Sequence, residues 1–133
     1  MTDSVNSREL VLAILLAVTK DGIYSHVAIS DVLTKYQYLE KQERSFITRV
    51  SEGTLERMLE LDYIINQFSS VKVNKMKPVI RCIIRSAVYE MKYMDSVPVS
   101  ASCNEAVKLA KKKRLWKAFR ICQWSASEYR KKS

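Results

Sequence analysis

"PVIRCIIRSAVYEMKYMDSVPVSASCNEAVKLAKK", residues 78–112, is the stretch that decides the fold of this chain. Apolar residues recur here at three- and four-residue steps, the spacing of one face of an α-helix. That apolar stripe consists of Ile80, Ile83, Ile84, Ala87, Met91 and Met94. Pro78 suits the first turn of the helix, and Pro98 closes the segment. A last helix is predicted over residues 104–113, with Ala106 among its apolar positions.

Helical patterns also fill the chain before this stretch. Asn6 followed by Glu9 resembles a capping box and predicts a helix over residues 7–20. Apolar residues cover nearly all of its circumference, which indicates a central, buried helix. A second helix is predicted over residues 25–35. No strand pattern is present, and two glycines and two prolines are few for a β-fold, so the sequence predicts an all-α bundle.

A longer helical pattern spans residues 41–69. Its centre contains Gly53, which weakens a helix by about 1 kcal/mol relative to alanine. We therefore expect a close helix contact or a break near Gly53, and a second helical piece from Leu61. Buried residues are predicted along all of these helices: Leu12, Ile14, Leu15, Phe46, Val50, Leu55, Ile64, Ile80, Ile83, Ile84, Ala87, Met91 and Ala106.

Size and composition exclude several classes of protein. The 133 residues suffice for one domain, and 47% hydrophobic with 28% charged residues is typical of a globular chain. The longest apolar run, residues 10–18, is too short to span a bilayer and makes a poor signal peptide, so we expect a cytoplasmic protein. The three cysteines, Cys82, Cys103 and Cys122, are widely spaced and odd in number, and His26 is the only histidine. This pattern argues against a zinc site and against a disulfide framework.

Positive charge is concentrated in the second half of the chain. The net charge is +9; residues 1–75 hold 9 basic and 10 acidic residues, whereas residues 76–133 hold 14 and 4. Such an asymmetry points to a polyanionic partner, either nucleic acid or an anionic membrane surface. The alternative is a basic surface that only contacts solvent.

Several motifs resemble a known family. "IIRSAVYEMKYMDSVPVSASCNEAVKLAKK", residues 83–112, resembles the central signature of the NusB-like RNA-binding domain, in which "VP" is followed by "NEAV-LAK". "ERSFITRVSEGTLERMLELDYIINQFS", residues 43–69, is similar to the form of this domain at the N-terminus of RsmB (Sun) rRNA cytosine-C5 methyltransferases. "EGTLER", "LDYIINQF" and "KMKPVIRCIIR" favour that branch over the free-standing antitermination factor NusB. The resemblance covers residues 8–113.

This resemblance implies a bundle of about seven helices in two subdomains, and binding to RNA, in particular rRNA. The intact family enzyme uses S-adenosylmethionine in a second, catalytic domain. This chain shows no glycine-rich turn for such a domain, so we expect no catalytic residue and no cofactor in it, and no activity by itself. One alternative is a free-standing antitermination factor that binds RNA with a ribosomal protein; another is a helical protein-interaction domain without RNA. The oligomeric state stays open.

Seven basic residues are predicted to contact RNA: Arg8, Arg81, Arg85, Lys92, Lys108, Lys111 and Lys112. Arg8 stands where the family places basic RNA-contacting residues. Each has an alternative role. Arg85 could be buried in a pair with Glu90 or Glu105 and serve the fold, and Lys108 with Lys112, four residues apart, could simply be solvated.

The last residues, 114–133, depart from the family, which continues with a helix similar to "GFVNGVLRNIARN". Back-translation read one nucleotide later permits "GFGKLSGFVNGLLRNIARN", and the single codon of Trp116 and of Trp124 forces a glycine at both places. The lysine run at residues 111–113 implies an adenine-rich stretch where a base is easily gained or lost. We therefore predict a domain over residues 1–113 and a frameshifted tail over residues 114–133, which packs poorly. A basic amphipathic tail that binds RNA or a membrane is the alternative.

Overall fold

The computed structural model describes residues 6–112, and within that range every regular element is a helix. The six α-helices are α1 (Ser7–Thr19), α2 (Ser25–Lys35), α3 (Lys41–Glu56), α4 (Met58–Phe68), α5 (Pro78–Tyr93) and α6 (Val99–Lys112), with a short 3-10 helix, Val73–Lys75, between α4 and α5. The predicted all-α fold is therefore confirmed. The predictions for the tail, residues 114–133, lie outside the described residues.

Helix α1 is the central element, as its apolar circumference predicts. The side chain of Asn6 accepts a hydrogen bond from the backbone N–H of Arg8 at 2.8 Å and fixes the start of the helix. At the other end Gly22 adopts a φ of 74°, which glycine tolerates best, and lets the N–H of Ile23 donate to the carbonyl of Ala17. Helix α1 packs against α2, α3, α5 and α6.

The predicted core is largely correct, with four exceptions. Leu12, Ile14, Leu15, Val50, Ile80, Ile83, Ile84, Ala87 and Ala106 are buried. Phe46, Leu55, Ile64 and Met91 are only half-buried and pack at the margin of the core. Periodicity identifies the face of a helix that points inward, but it does not give the depth of each residue. Phe46 borders a charged side chain at this margin, since the guanidinium of Arg8 lies over its ring at 5.0 Å.

The long helical pattern of residues 41–69 is divided, but at a different place from the one predicted. The break lies at Arg57, whose φ and ψ of −106° and 22° are not helical, so α4 begins at Met58 and not at Leu61. Gly53 lies inside α3 and is buried against α5: a Cβ added there would overlap the ring of Tyr89. Of the two expectations for Gly53, the close helix contact is confirmed.

Helix α6 begins five residues before the predicted start. Pro98 precedes it directly, and the Pro98 carbonyl accepts from the N–H groups of Ala101 and Ser102 at 3.0 and 3.1 Å. A proline that closes one segment thus also begins the next helix, because a residue before the first turn needs no N–H of its own.

Two packing contacts define the ends of the bundle. Helix α1 runs antiparallel to α5, since Arg8 at its start contacts Glu90, and Thr19 at its end contacts Cys82 at 3.6 Å. We call these regions the α5 C-terminal end and the α5 N-terminal end. The 3-10 helix also lies at the α5 N-terminal end, because Arg81 of α5 donates to the carbonyls of Val73 and Met76. No helix within residues 6–112 is both long and apolar enough to cross a membrane.

Candidate nucleic-acid interface

Arg8 is held by a buried carboxylate. Its Nε and Nη2 atoms donate to Glu90 at 3.0 and 2.6 Å, and the hydroxyl of Ser102 donates to the same carboxylate at 2.9 Å. Glu90 is almost fully buried, while 22% of the Arg8 side chain is exposed. Three helices, α1, α5 and α6, therefore meet at one charged centre. A buried carboxylate needs such partners, so the first role of Arg8 is to neutralise Glu90.

Two of the predicted lysines lie close to this centre, on the surface formed by the start of α1 and by α6. Lys112 donates to Glu9 at 2.9 Å, and Lys108 to Glu105 at 3.4 Å. Their side chains are 63% and 73% exposed, so both ammonium groups contact solvent. Lys111 is exposed on the same helix. The structure thus brings Arg8 together with Lys108 and Lys112, but it places glutamates among them.

Glu105 places a negative charge among the positive charges of this surface. Burial raises the pKa of Glu105, but the hydrogen bond from Asn6, at 3.2 Å, and the neighbouring Lys108 outweigh burial, so the pKa is lowered overall. The carboxylate therefore stays charged near neutral pH and offsets part of the positive charge of the lysines. We call Arg8, Lys108, Lys112 and their glutamates the α1–α6 surface.

Arg85 is buried and forms a two-pronged ion pair with Asp62, at 2.7 and 2.8 Å. The sequence left open a pair with Glu90 or Glu105; the partner is instead Asp62 of α4, because Arg8 already occupies Glu90. This pair joins α4 to α5. The geometry supports the role in the fold, and contact of Arg85 with RNA stays a prediction.

Arg81 and Lys92 also connect α5 to its neighbours. The Arg81 guanidinium donates to the carbonyls of Val73 and Met76 at 3.0 and 2.8 Å and so fixes the 3-10 helix. Lys92 pairs with Glu60 of α4. Hydrogen bonds from Lys92 and then from Tyr93 lower the pKa of Glu60 to about 2. Arg81 and Lys92 thus attach α5 to the 3-10 helix and to α4, and their contact with RNA stays a prediction.

An open groove of about 770 Å³ runs along α3, with Tyr89 of α5 at its side. Its lining is mixed in charge and consists of Lys41, Arg44, Ser45, Thr48, Arg49, Glu52, Gly53, Glu56 and Tyr89. Arg44 donates to the carbonyl of Leu33 at 3.0 Å, and Arg49 to that of Tyr93 at 3.0 Å. Two of its cations thus serve to hold neighbouring backbone in place.

Four further lysines, which the sequence did not single out as RNA contacts, lie on segments at the α5 N-terminal end: Lys20, Lys72, Lys75 and Lys77. All four are exposed, and in the described part of the chain none of them forms an ion pair. The signal was present in "KVNKMK", residues 72–77, where three lysines occur within six residues and no acid follows until Glu90. Their ammonium groups are thus available to an external anion.

Comparison with known proteins decides the family. The profile of the NusB family matches residues 5–119. The chain belongs to the NusB family. It is 34% identical over 107 residues, 80% of this chain, to the "Probable ribosomal RNA small subunit methyltransferase B" of Synechocystis sp.. It is 35% identical over 106 residues, 79% of this chain and 77% of the relative, to the transcription antitermination protein NusB of Bacillus pumilus.

The family relationship extends to the fold. A solved structure of the antitermination factors NusB and NusE in complex with dsRNA matches with a TM-score of 0.83 and 18% identity, over 96% of this chain and 95% of that one. The resemblance drawn from residues 83–112 is thus confirmed. NusB-family relatives include both kinds of protein, and the chain spans about a quarter of the length of the methyltransferases it matches, 24% of the Synechocystis protein and 23% of one from Bacillus subtilis.

Proposed function

We propose that this chain is the RNA-binding part of a ribosomal RNA small subunit methyltransferase, and that it holds rRNA for a catalytic domain outside this chain. The observation that carries the proposal is the 34% identity to the Synechocystis methyltransferase over four fifths of the chain. The motifs "EGTLER" and "LDYIINQF" favour the same branch. In this proposal S-adenosylmethionine belongs to the catalytic domain, and residues 1–133 supply affinity for the substrate.

The α1–α6 surface supports RNA binding through exchangeable ion pairs. An exposed pair of lysine and glutamate is worth at most about 1 kcal/mol. A phosphate can therefore replace Glu9 beside Lys112, or Glu105 beside Lys108, at small cost. Each phosphate contact also releases counterions from the RNA, which makes binding favourable at low salt. Arg8 contributes by fixing the start of α1, next to which these lysines lie.

A second function has one specific observation in its favour. The chain matches 77% of the Bacillus pumilus antitermination protein at 35% identity, so most of that NusB-type factor has a counterpart in it. In that case the RNA would be a leader transcript, and a ribosomal protein would bind beside it. The two functions share the RNA-binding role and differ in the RNA that is preferred.

The shared role is tested by titrating the chain into two fluorescein-labelled RNAs, a small-subunit rRNA hairpin and a leader RNA, at 50 to 200 mM KCl. We expect anisotropy to show binding that weakens steeply with salt. Lys108→Glu combined with Lys112→Glu should weaken binding at least tenfold. Lys35→Glu combined with Lys41→Glu makes the same change of charge elsewhere and serves as the control. Salt-independent binding, or none, would reject the proposal in favour of a protein-interaction domain.

The choice between the two functions needs two further observations. A preference for the rRNA hairpin that is unchanged by added ribosomal protein supports the methyltransferase, and the reverse supports the antitermination factor. The gene sequence beyond codon 113 tests the frameshift that we propose: codons that spell "GFVNG" one base on, followed by an open methyltransferase frame, are the expected result.

A further inference from the structure

The positive charges of the lysines at the α5 N-terminal end form no ion pair within residues 6–112. Lys77 directly precedes α5, and no acidic residue lies in the first turn of that helix. The N-terminus of a helix is its positive pole, where acidic side chains are stabilising and cations are not. Lys72, Lys75 and Lys20 add to the same region. Such a cluster repels itself, and this repulsion is relieved when a polyanion binds.

Three described contacts hold the segments that carry these lysines against the first turns of α5. Thr19, beside Lys20, contacts Cys82 of α5 at 3.6 Å. Arg81 donates to the carbonyls of Val73 and Met76, which lie between the other three lysines along the chain. Asp21, which directly follows Lys20, forms no ion pair in the described part of the chain. We call Lys20, Lys72, Lys75 and Lys77 the lysine cluster.

An exposed aromatic pair lies at the start of α2, four residues after Lys20 of the lysine cluster. The ring of Tyr24 stacks on that of His26, with centroids 6.0 Å apart and planes 21° from parallel, and Tyr24 is 77% exposed. The apolar residues Ile23 and Val27, which flank the pair, are each more than a third exposed. A single exposed tyrosine is ordinary, but two stacked rings with apolar flanks form a flat surface of the kind on which nucleobases stack.

The backbone holds this pair in place. The carbonyl of Tyr24 accepts from the N–H groups of Val27 and Ala28 at 3.1 and 3.0 Å, and Ile23 is anchored to Ala17 of α1 at 3.0 Å. Ala28 is buried in the core. The rings therefore stand on a fixed turn at the end of α1, and little conformational freedom would be lost when a base stacks on them.

We propose that the α5 N-terminal end binds an unpaired segment of RNA, with the lysine cluster on its phosphates and the Tyr24–His26 pair on its bases. The proposal rests on the RNA-binding function proposed above and adds a second contact to it. Helix α1 has 13 residues and is therefore about 20 Å long, so this contact lies that far from the α1–α6 surface. Bases inside a duplex already stack on one another, hence a protein ring can reach only unpaired ones.

The test compares two labelled RNAs that share one hairpin, of which one ends flush and the other carries eight unpaired nucleotides. Tyr24→Ala combined with His26→Ala should weaken binding of the extended RNA about tenfold, which is the effect of losing one good stacking contact. Binding of the blunt hairpin should not change. Tyr63→Ala is the control, because Tyr63 on α4 is 68% exposed as well. Tyr24→Phe should retain the affinity, since the ring is kept.

A second pair of variants tests the charges. Lys72→Glu combined with Lys75→Glu should weaken the extended RNA more than the blunt one and reduce the salt slope by about two, one for each lysine. The matched control is again Lys35→Glu with Lys41→Glu. In addition, 2-aminopurine placed in the extension should be quenched by the wild type and not by the doubly substituted Tyr24 and His26 variant, which reports stacking directly.

The outcomes separate the two proposals. If the wild type binds neither RNA, the function proposed above fails, and this inference fails with it. If the wild type binds both RNAs equally, or the aromatic variant binds the extension as well as the wild type does, only this inference is overturned. Binding of the lysine cluster to vesicles with 30% phosphatidylserine, together with unchanged RNA binding in the lysine variant, would assign the cluster to a membrane surface and also overturn it.

Discussion

Replacing Arg8 by alanine should unfold the protein at a clearly lower temperature, although Arg8 lies near the surface. The substitution removes both donors at 3.0 and 2.6 Å from Glu90, a carboxylate that is almost fully buried. Removal of one partner of a buried ion pair costs about 3–5 kcal/mol. Ser102 still donates to Glu90, and water can reach the position of a side chain that was 22% exposed. We therefore expect the lower end of that range, about 3 kcal/mol, or roughly 10 °C in Tm for a chain of this size.

Urea and thermal unfolding of four proteins measure this effect: wild type, Arg8→Ala, Glu90→Gln and the double variant. A neutral amide at position 90 needs no counter-charge, so Glu90→Gln should recover part of the stability in the Arg8→Ala background. The expected coupling energy is about 2 kcal/mol, within the range found for residues of one network. Lys108→Ala serves as the control and should change the stability by less than about 0.5 kcal/mol, because its pair with Glu105 is exposed.

One result would refute this reasoning. If Arg8→Ala lowers Tm no more than Lys108→Ala does, Glu90 is not a buried charge that depends on Arg8. A loss of RNA binding in Arg8→Ala has to be measured well below the Tm of the variant, because otherwise unfolding alone would produce the loss.

Three further changes have definite expected outcomes. Gly53→Ala should lower stability by about 1–3 kcal/mol despite the better helix propensity of alanine, since the new Cβ overlaps the ring of Tyr89; a higher Tm would contradict the close contact. Ile84→Asp should abolish cooperative unfolding seen by circular dichroism, because it places an unpaired charge in the core; a Tm within a few degrees of wild type would show otherwise. The pKa of Glu60 is lowered to about 2 in the folded state, so its pair with Lys92 stabilises the fold fully above about pH 4.5 and loses this contribution as the pH falls towards 2. The free energies of unfolding of wild type and Glu60→Gln, measured with urea, should differ by about 1 kcal/mol at pH 6 and converge near pH 2.

The sequence predicted the helices well because local periodicity and capping decide them. Asn6 identified the start of α1, and the apolar stripe of α5 identified its inner face. It failed where local signals are ambiguous or absent. Pro98 ends one segment and begins α6, and the break at Arg57 has no glycine or proline beside it.

The ion-pair partners of the cations were predicted less well, because they depend on contacts between distant residues. Arg8 and Glu90 are 82 positions apart, and Arg85 and Asp62 are 23 apart. The local sequence does not distinguish an arginine that neutralises a buried carboxylate from an arginine that faces solvent. Lysines such as Lys72 are recognised as unpaired only when the structure shows that they form no ion pair within residues 6–112.

The charged centre at Glu90 can form only after most of the described chain has been translated. Helix α1 leaves the ribosome early, yet Glu90 is translated 82 residues after Arg8, and Ser102 follows 12 residues later. At about 5–20 residues per second, this delay amounts to roughly 4–16 s. During that time the longest apolar run of the nascent chain, residues 10–18, lacks α5 and α6, two of the four helices that cover α1. Helix α1 should therefore be a binding site for chaperones such as trigger-factor-like holdases until α5 and α6 have emerged, and slower translation before Glu90 should prolong that association.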